Sequence, residues 1–314
     1  MSETTDNTLA IVFPGQGSQA VGMLGELATQ HSQVGETFAE AGEVLGYDLW
    51  QLVQDGPAED LNQTDRTQPA MLAAGVSVWR VWQAQGGATP AIMAGHSLGE
   101  YTALVCSGAI DFATAVALVA ERGRCMQGAV PPGVGAMAAL LGLDDATVTD
   151  VCTRAAGDDV VEAVNFNSPG QVVIAGNTAA VERAIGLAKE AGAKRAVILP
   201  VSVPSHCALM QPAAVKFAQR LEDTEIVTPA IPVVQNVDAV MQDQPAIIRE
   251  NLARQLYNPV RWVSSVRTMH AHGIRRMIEA GPGKVLTGLG KRIDKTIAGA
   301  AVYDNDTLQA ALAG

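Results

Sequence analysis

Two hydrophobic rhythms divide the chain. The short all-apolar runs Leu9–Phe13 (LAIVF) and Ala91–Ala94 (AIMA) predict strands buried on both faces. Elsewhere apolar residues recur three or four apart, as Leu72, Val76 and Trp79 do in PAMLAAGVSVWRVWQAQG, and this predicts helices with one buried face. Pro14-Gly15-Gln16-Gly17-Ser18 breaks the first strand, and helical patterns follow it to about Leu45. Directly after the second strand, LGEYTALVCSGAI reads as helix.

The rhythm changes at VPPGVG, near Val130. An ordered series follows. It comprises a strand over Gly135–Leu143, a helix over Asp144–Ala156 with Asp144 as N-cap, and a strand over Val160–Phe166. The turn Asn167-Ser168-Pro169-Gly170 leads to a strand over Gln171–Ala175, a helix over Asn177–Ala191 that starts on a capping residue, and a strand over Arg195–Val201. The order βαββαβ is that of a ferredoxin-like unit. Longer helical stretches then return. RQLYNPVRWVSSVRTMHAHG reads as mostly helix, Arg276–Glu279 as strand, and AGPGKVLTGLGKR as a glycine-rich loop entering a helix. The expected organisation is an α/β body over 1–129 and 203–314, interrupted once by a small α+β subdomain over 130–202.

Composition narrows the function. The 314 residues are 48% hydrophobic, enough for a substantial core, and the net charge of −11 argues against nucleic acid as a partner. The four cysteines, Cys106, Cys125, Cys152 and Cys207, have no zinc or C-x-x-C spacing, so free thiols and no metal are expected. The polar, acidic N-terminal residues have no signal-peptide pattern and no apolar run spans a bilayer, so the expectation is a cytoplasmic protein with no membrane association.

Candidate chemistry centres on AGHSLGEY. Gly95-His96-Ser97-Leu98-Gly99 fits G-x-S-x-G, and it lies between a predicted strand and a predicted helix, the context of a nucleophile elbow. A serine hydroxyl needs a base. His96 is adjacent to Ser97, where side chains on a turn diverge, and His31, His270 and His272 lie in or at the ends of helices. His206 instead follows the strand AVILPVSV in a loop, near the carboxyl end of a strand where open α/β sheets place their ligands. No acid stands out as its partner, and a backbone carbonyl could orient the ring equally well. Oxyanion donors would be the Leu98 amide and an amide of Pro14–Gly17. That same loop, Gly15-x-Gly17-x-x-Ala20, also suits a dinucleotide turn, but the acids at the right distance, Glu36 and Glu40, sit in a helical pattern. In DFATAVALVAERGRCMQ, Arg122 shares an apolar stripe with Leu118 and Met126. It is half of a structural ion pair, a snorkelling side chain or a receptor for a substrate carboxylate.

Seven blocks in order, FPGQGSQ, AGHSLGEY, ERGRCMQ, NFNSPGQVVIAG, PVSVPSHCALM, RQLYNPVRW and GPGKVLTGL, resemble the bacterial malonyl-CoA:acyl carrier protein transacylases over nearly the whole chain. The resemblance implies an α/β-hydrolase-like large subdomain with the ferredoxin-like one inserted. It implies malonyl transfer from a CoA thioester to acyl carrier protein by a ping-pong mechanism, with no bound cofactor. Ser97 matches the nucleophile, His206 the base and Arg122 the malonate-binding arginine. Gln16 and Leu98 match the oxyanion-hole amides, and Gln255 the residue whose carbonyl orients the histidine. A stand-alone polyketide acyltransferase and a serine hydrolase or thioesterase are the competing functions. Docking an acidic carrier on an acidic chain requires a local basic patch, for which Lys194, Arg195, Lys284, Lys291 and Arg292 are candidates.

Overall fold

The computed structural model describes residues 5–201 and 203–314. Its strands, in chain order, are β1 (Thr5–Phe13), β2 (Thr89–Gly95), β3 (Gly135–Leu141), β4 (Val161–Ser168), β5 (Gln171–Asn177), β6 (Arg195–Ile198), β7 (Val233–Val234), β8 (Arg276–Ala280) and β9 (Ala298–Val302). They form two sheets. One is five-stranded, in the order β7-β2-β1-β8-β9, and every neighbouring pair is parallel. The other is four-stranded, in the order β4-β5-β3-β6, and every pair is antiparallel.

The all-apolar runs are explained by the parallel sheet. Along β1, Leu9, Ile11 and Phe13 enter the core on one face while Ala10 and Val12 enter the core on the other. A strand covered on both sides alternates direction without alternating polarity. The first face packs against the helices Thr64–Ala84 and Phe112–Gln127, which lie along each other. The second packs against Trp262, Val266 and Met269 of the helix Trp262–Ala271. Phe13 pairs with Gly95, so the loops leaving the carboxyl ends of β1 and β2 are neighbours.

The antiparallel sheet carries the helices Asp145–Ala156 and Thr178–Glu190 on one face, over Ala138, Leu140, Val172 and Ile174. Its other face, with Met137, Val164, Val173 and Ala175, closes on Cys207. The edge strand β4 is tied to the segment leading into the helix Trp262–Ala271, where Val260 donates to the Val164 carbonyl and accepts from the Phe166 amide.

Several expectations are revised in detail. The strand expected to reach Leu143 ends at Leu141, because Gly142 turns the chain at φ 95°. The strand expected to reach Val201 ends at Ile198. Asp144 caps its helix through the Thr147 amide as expected, but the Asn177 side chain accepts from Val160 instead of capping the helix it precedes. In RQLYNPVRWVSSVRTMHAHG, Arg254 ends the helix Pro245–Arg254 and Trp262–Ala271 forms the next, since Pro259 follows a turn over Gln255–Asn258. Among the described residues no helix is long and apolar enough to cross a membrane.

Candidate active site

β2 ends at Gly95, and the helix Gly99–Cys106 begins four residues later. Ser97 lies at the apex of this turn in left-handed backbone, at φ 52°. Both flanking glycines are required by close approach. A Cβ on Gly95 would strike the Gly99 carbonyl, and a Cβ on Gly99 would strike the Phe13 carbonyl of the adjacent strand. The motif therefore presses an elbow against β1 and pushes the serine outward. The Ser97 amide is held by Asn236 Oδ1 at 2.7 Å, and Asn236 Nδ2 donates to the Gly95 carbonyl, so one side chain grips the turn at two points.

His206 enters from the loop after β6. Its Nε2 is 2.8 Å from Ser97 Oγ, and its Nδ1 is 2.7 Å from the main-chain carbonyl of Gln255. That carbonyl can only accept, so Nδ1 carries the proton and Nε2 is left to accept the serine's. Burial and, after it, the nearby Arg122 guanidinium hold the imidazole pKa down at about 3, so the ring is neutral at physiological pH.

Arg122 is buried, and its pKa is lowered chiefly by that burial. Gly123 lets its helix pack against the backbone of Asp65, which sets Arg122 beside the neighbouring helix. Nη1 donates to Gln68 Oε1 at 2.9 Å, and Nη2 to Gln255 Oε1 at 2.8 Å and to Ser97 Oγ at 3.3 Å. The Tyr101 ring lies 5.3 Å from the guanidinium carbon. Every acceptor it reaches among the described residues is neutral, and its Nε is buried without a partner. The structural ion pair left open by the sequence is not formed among the described residues, and the buried guanidinium does not snorkel to solvent. No carboxylate among the described residues touches the guanidinium, which faces the cleft, and Glu100 acts on it only from a distance.

The cleft, about 110 Å³, is lined by Gln16, His96, Ser97, Leu98, Arg122 and His206 on one side and by Met137, Asn165, Leu199 and Val201 on the other. It lies between the two sheets. The Gln16 and Leu98 amides have no acceptor among the described residues, and both residues line this space. His96 turns away from the serine. Its Nε2 is 2.8 Å from Asn167 Oδ1 of β4, and its ring packs 5.7 Å from Trp262, so it ties the elbow to the antiparallel sheet. Of the other histidines, His31 precedes the helix Ser32–Leu45, His270 pairs with Asp294 at 2.6 Å, and His272 ends the helix Trp262–Ala271. Lys194, Arg195, Lys284, Lys291 and Arg292 are all exposed, and Arg292 donates to Gln171 Oε1.

Sequence reasoning missed Gln68, Asn236, Asn167 and Glu100. Glu100, wholly buried, accepts from the Asn236 amide at 2.7 Å, Gln255 Nε2 at 3.0 Å and Gln235 Nε2 at 3.2 Å. Burial pushes its carboxyl up to about 7 against the pull of these donors. A lone acid inside the apolar run LGEYTALV was the one available signal for it. The amides have none, because they matter only through partners distant in sequence.

A hydroxyl with a neutral imidazole at its proton and unpaired amides alongside is equipped to take an acyl group and pass it on. The model of the acyl transferase domain matches residues 10–307, and the chain belongs to that family. It is 60% identical to the malonyl CoA-acyl carrier protein transacylase of Escherichia coli over 303 residues, 96% of this chain and 98% of that protein. A crystal structure of an acyl carrier protein S-malonyltransferase from Vibrio cholerae superposes with a TM-score of 0.95 at 63% identity, covering 96% of this chain and 99% of the other. A malonyl-transacylase in complex with a type II polyketide synthase acyl-carrier protein superposes at 0.96 with 57% identity, covering 97% and 99%. Within the acyl transferases, the chain is thus a member of the malonyl CoA-acyl carrier protein transacylases.

Proposed function

We propose that the chain moves a malonyl group from CoA to the phosphopantetheine thiol of acyl carrier protein through an ester on Ser97. His206 Nε2 takes the Ser97 proton as Oγ attacks the thioester carbonyl. The carbonyl oxygen, now negative, is held by the Gln16 and Leu98 amides. The tetrahedral adduct collapses, the C–S bond breaks, and His206 returns the proton to the CoA sulfur. The carrier thiol then enters, gives its proton to His206 and attacks the ester, and Ser97 leaves with the proton restored. The Gln255 carbonyl replaces the usual triad acid, and Arg122 binds the free malonyl carboxylate.

The observation that supports this reading above all others is the meeting of an imidazole and a guanidinium at one hydroxyl oxygen. Ser97 Oγ is 2.8 Å from His206 Nε2 and 3.3 Å from Arg122 Nη2. A guanidinium beside the nucleophile, bonded only to neutral acceptors, selects an acyl group that carries its own carboxylate.

The reading extends to organisation: an α/β-hydrolase-like catalytic subdomain over 1–129 and 203–314, and a ferredoxin-like one over 130–202, working in the cytoplasm without a bound cofactor. A polyketide synthase carrier is the second acceptor to assay, given the 57% identical relative bound to one. The test is intact-protein mass after brief incubation with malonyl-CoA. A malonyl adduct is expected on the native chain and not on Ser97→Ala. An adduct on both variants would refute the assignment of Ser97.

A further inference from the structure

We infer that Glu100 is a positioning residue that aligns the nucleophile and the carboxylate receptor together, through two amide arms. The inference rests on the roles given above to Ser97, His206 and Arg122.

The first arm is Asn236. Glu100 Oε2 accepts from its main-chain N–H at 2.7 Å, and the Asn236 side chain holds the Ser97 amide and the Gly95 carbonyl, each at 2.7 Å. This arm fixes the elbow. The second arm is Gln255. The same Oε2 accepts from its Nε2 at 3.0 Å, and that nitrogen also donates to the Ser97 carbonyl at 3.1 Å. With Nε2 so engaged, Gln255 Oε1 has one orientation open to it, facing Arg122 Nη2, while the Gln255 main-chain carbonyl faces His206. Serine, histidine and arginine are therefore all within two hydrogen bonds of one carboxyl group.

The chemistry of the site calls for an acid here. All three partners of Glu100 present N–H groups: Asn236 and Gln255 at Oε2, and Gln235 at Oε1. A carboxylate can accept from all of them. A glutamine of the same shape would turn an NH2 group toward a donor, leaving one buried pair facing each other without an acceptor. Gln235 is itself fixed by Asn251, so it cannot rotate away without losing that bond. Misplacement by about 1 Å of a group that holds reacting atoms costs on the order of a hundredfold in rate.

A residue that merely supported the fold would change stability and leave the folded enzyme's chemistry alone. The experiment separates these roles by measuring single-turnover acylation of folded Glu100→Gln at pH 8, where a carboxyl of pKa about 7 is ionised in the native protein. Two rates are taken, with malonyl-CoA and with acetyl-CoA, and Ser97→Ala is the control. The malonyl rate is expected to fall at least about tenfold, and the ratio of malonyl to acetyl rates at least about threefold, because both arms loosen. Phosphonylation of Ser97 by a fluorophosphonate, which makes no use of Arg122, is expected to slow as well. Native rates and a native ratio, with only a lower melting temperature, would overturn the inference. If Glu100→Gln does not fold, Glu100→Asp, which keeps the charge and withdraws the oxygens by one methylene, is judged by the same criteria. Adduct formation on Ser97→Ala would instead refute the underlying site assignment.

Discussion

Ser97 and His206, whose side chains meet at 2.8 Å, both hold left-handed backbone, at φ 52° and φ 69°. Neither is glycine, so each conformation is strained by about 1–3 kcal/mol. Each is pinned through its own amide, Ser97 by Asn236 Oδ1 and His206 by the Leu256 carbonyl at 2.9 Å. Two loops from different parts of the chain are thus bent to bring one oxygen and one nitrogen together.

This strain orders the stabilities of variants at position 97. Ser97→Ala keeps a Cβ in left-handed backbone, whereas Ser97→Gly removes it. The glycine variant is expected to be the more stable by about 1 kcal/mol, the reverse of the order in a helix. Urea midpoints decide it. A glycine variant no more stable than the alanine one would mean the turn at 97 is unstrained.

Arg122→Ala should cost selectivity. A charge-assisted bidentate contact contributes about 1.5–3 kcal/mol, so the acylation kcat/KM with malonyl-CoA is expected to drop about ten- to a hundredfold. The rate with acetyl-CoA should change far less, since it offers the guanidinium nothing to bind. Equal losses with both thioesters would place the arginine's role in alignment alone.

The pH dependence should differ between free and acylating enzyme. Burial and the Arg122 charge both favour neutral His206, holding its pKa at about 3. A malonyl carboxylate on Arg122 offsets part of that charge, which favours the imidazolium and raises the pKa. The acid limb attributable to His206 is therefore expected at higher pH in kcat, which reports the bound complex, than in kcat/KM, which reports the free enzyme. With acetyl-CoA the two should coincide. A shift of equal size with acetyl-CoA would remove the carboxylate as its cause.

The legible parts of this molecule share a feature: their signal is local. Ser97 could be read because an elbow needs a strand, a glycine on either side and a helix in unbroken sequence. Arg122 stood out as a charge on an apolar stripe, and His206 as a histidine not adjacent to the serine, in a loop after a strand. β7 and β9 were not read. The first has two residues, and the second, AGAAV, is an edge strand of small side chains with little β preference. The helix Asn305–Ala313 carries a capping box from Asp304 and Thr307, a signal present but unread. Gln68, Asn236 and Glu100 act through residues 54, 139 and 136 positions away, and no pattern along the chain encodes such pairs. Gln255 was reached only through family resemblance, for the same reason.

Gly99→Ala probes the elbow from the side of the sheet. The added methyl would meet the Phe13 carbonyl, which belongs to a central strand and cannot withdraw. Overpacking of this kind costs about 1–3 kcal/mol, and relief by moving the helix start would carry Ser97 away from His206. A lower melting temperature together with acylation slowed at least about tenfold is expected, because aligned groups are sensitive to small displacements. A stable variant with native acylation would mean the elbow tolerates a side chain there.

Carrier docking should be separable from acylation. The chain is acidic overall, at −11, so an acidic carrier needs a local basic surface. Lys284 and Lys291 flank and enter the helix Val285–Ile293, both exposed, while the neighbouring Arg292 is occupied by Gln171. Lys284→Glu with Lys291→Glu is expected to raise KM for the carrier several-fold, an effect that shrinks as salt is added. Acylation of Ser97 by malonyl-CoA should stay within about twofold, because rim charges act on encounter and not on the buried chemistry. If transfer to the carrier is unchanged, the docking surface lies elsewhere, and Lys194 and Arg195, exposed where the chain enters β6, become the next pair to reverse.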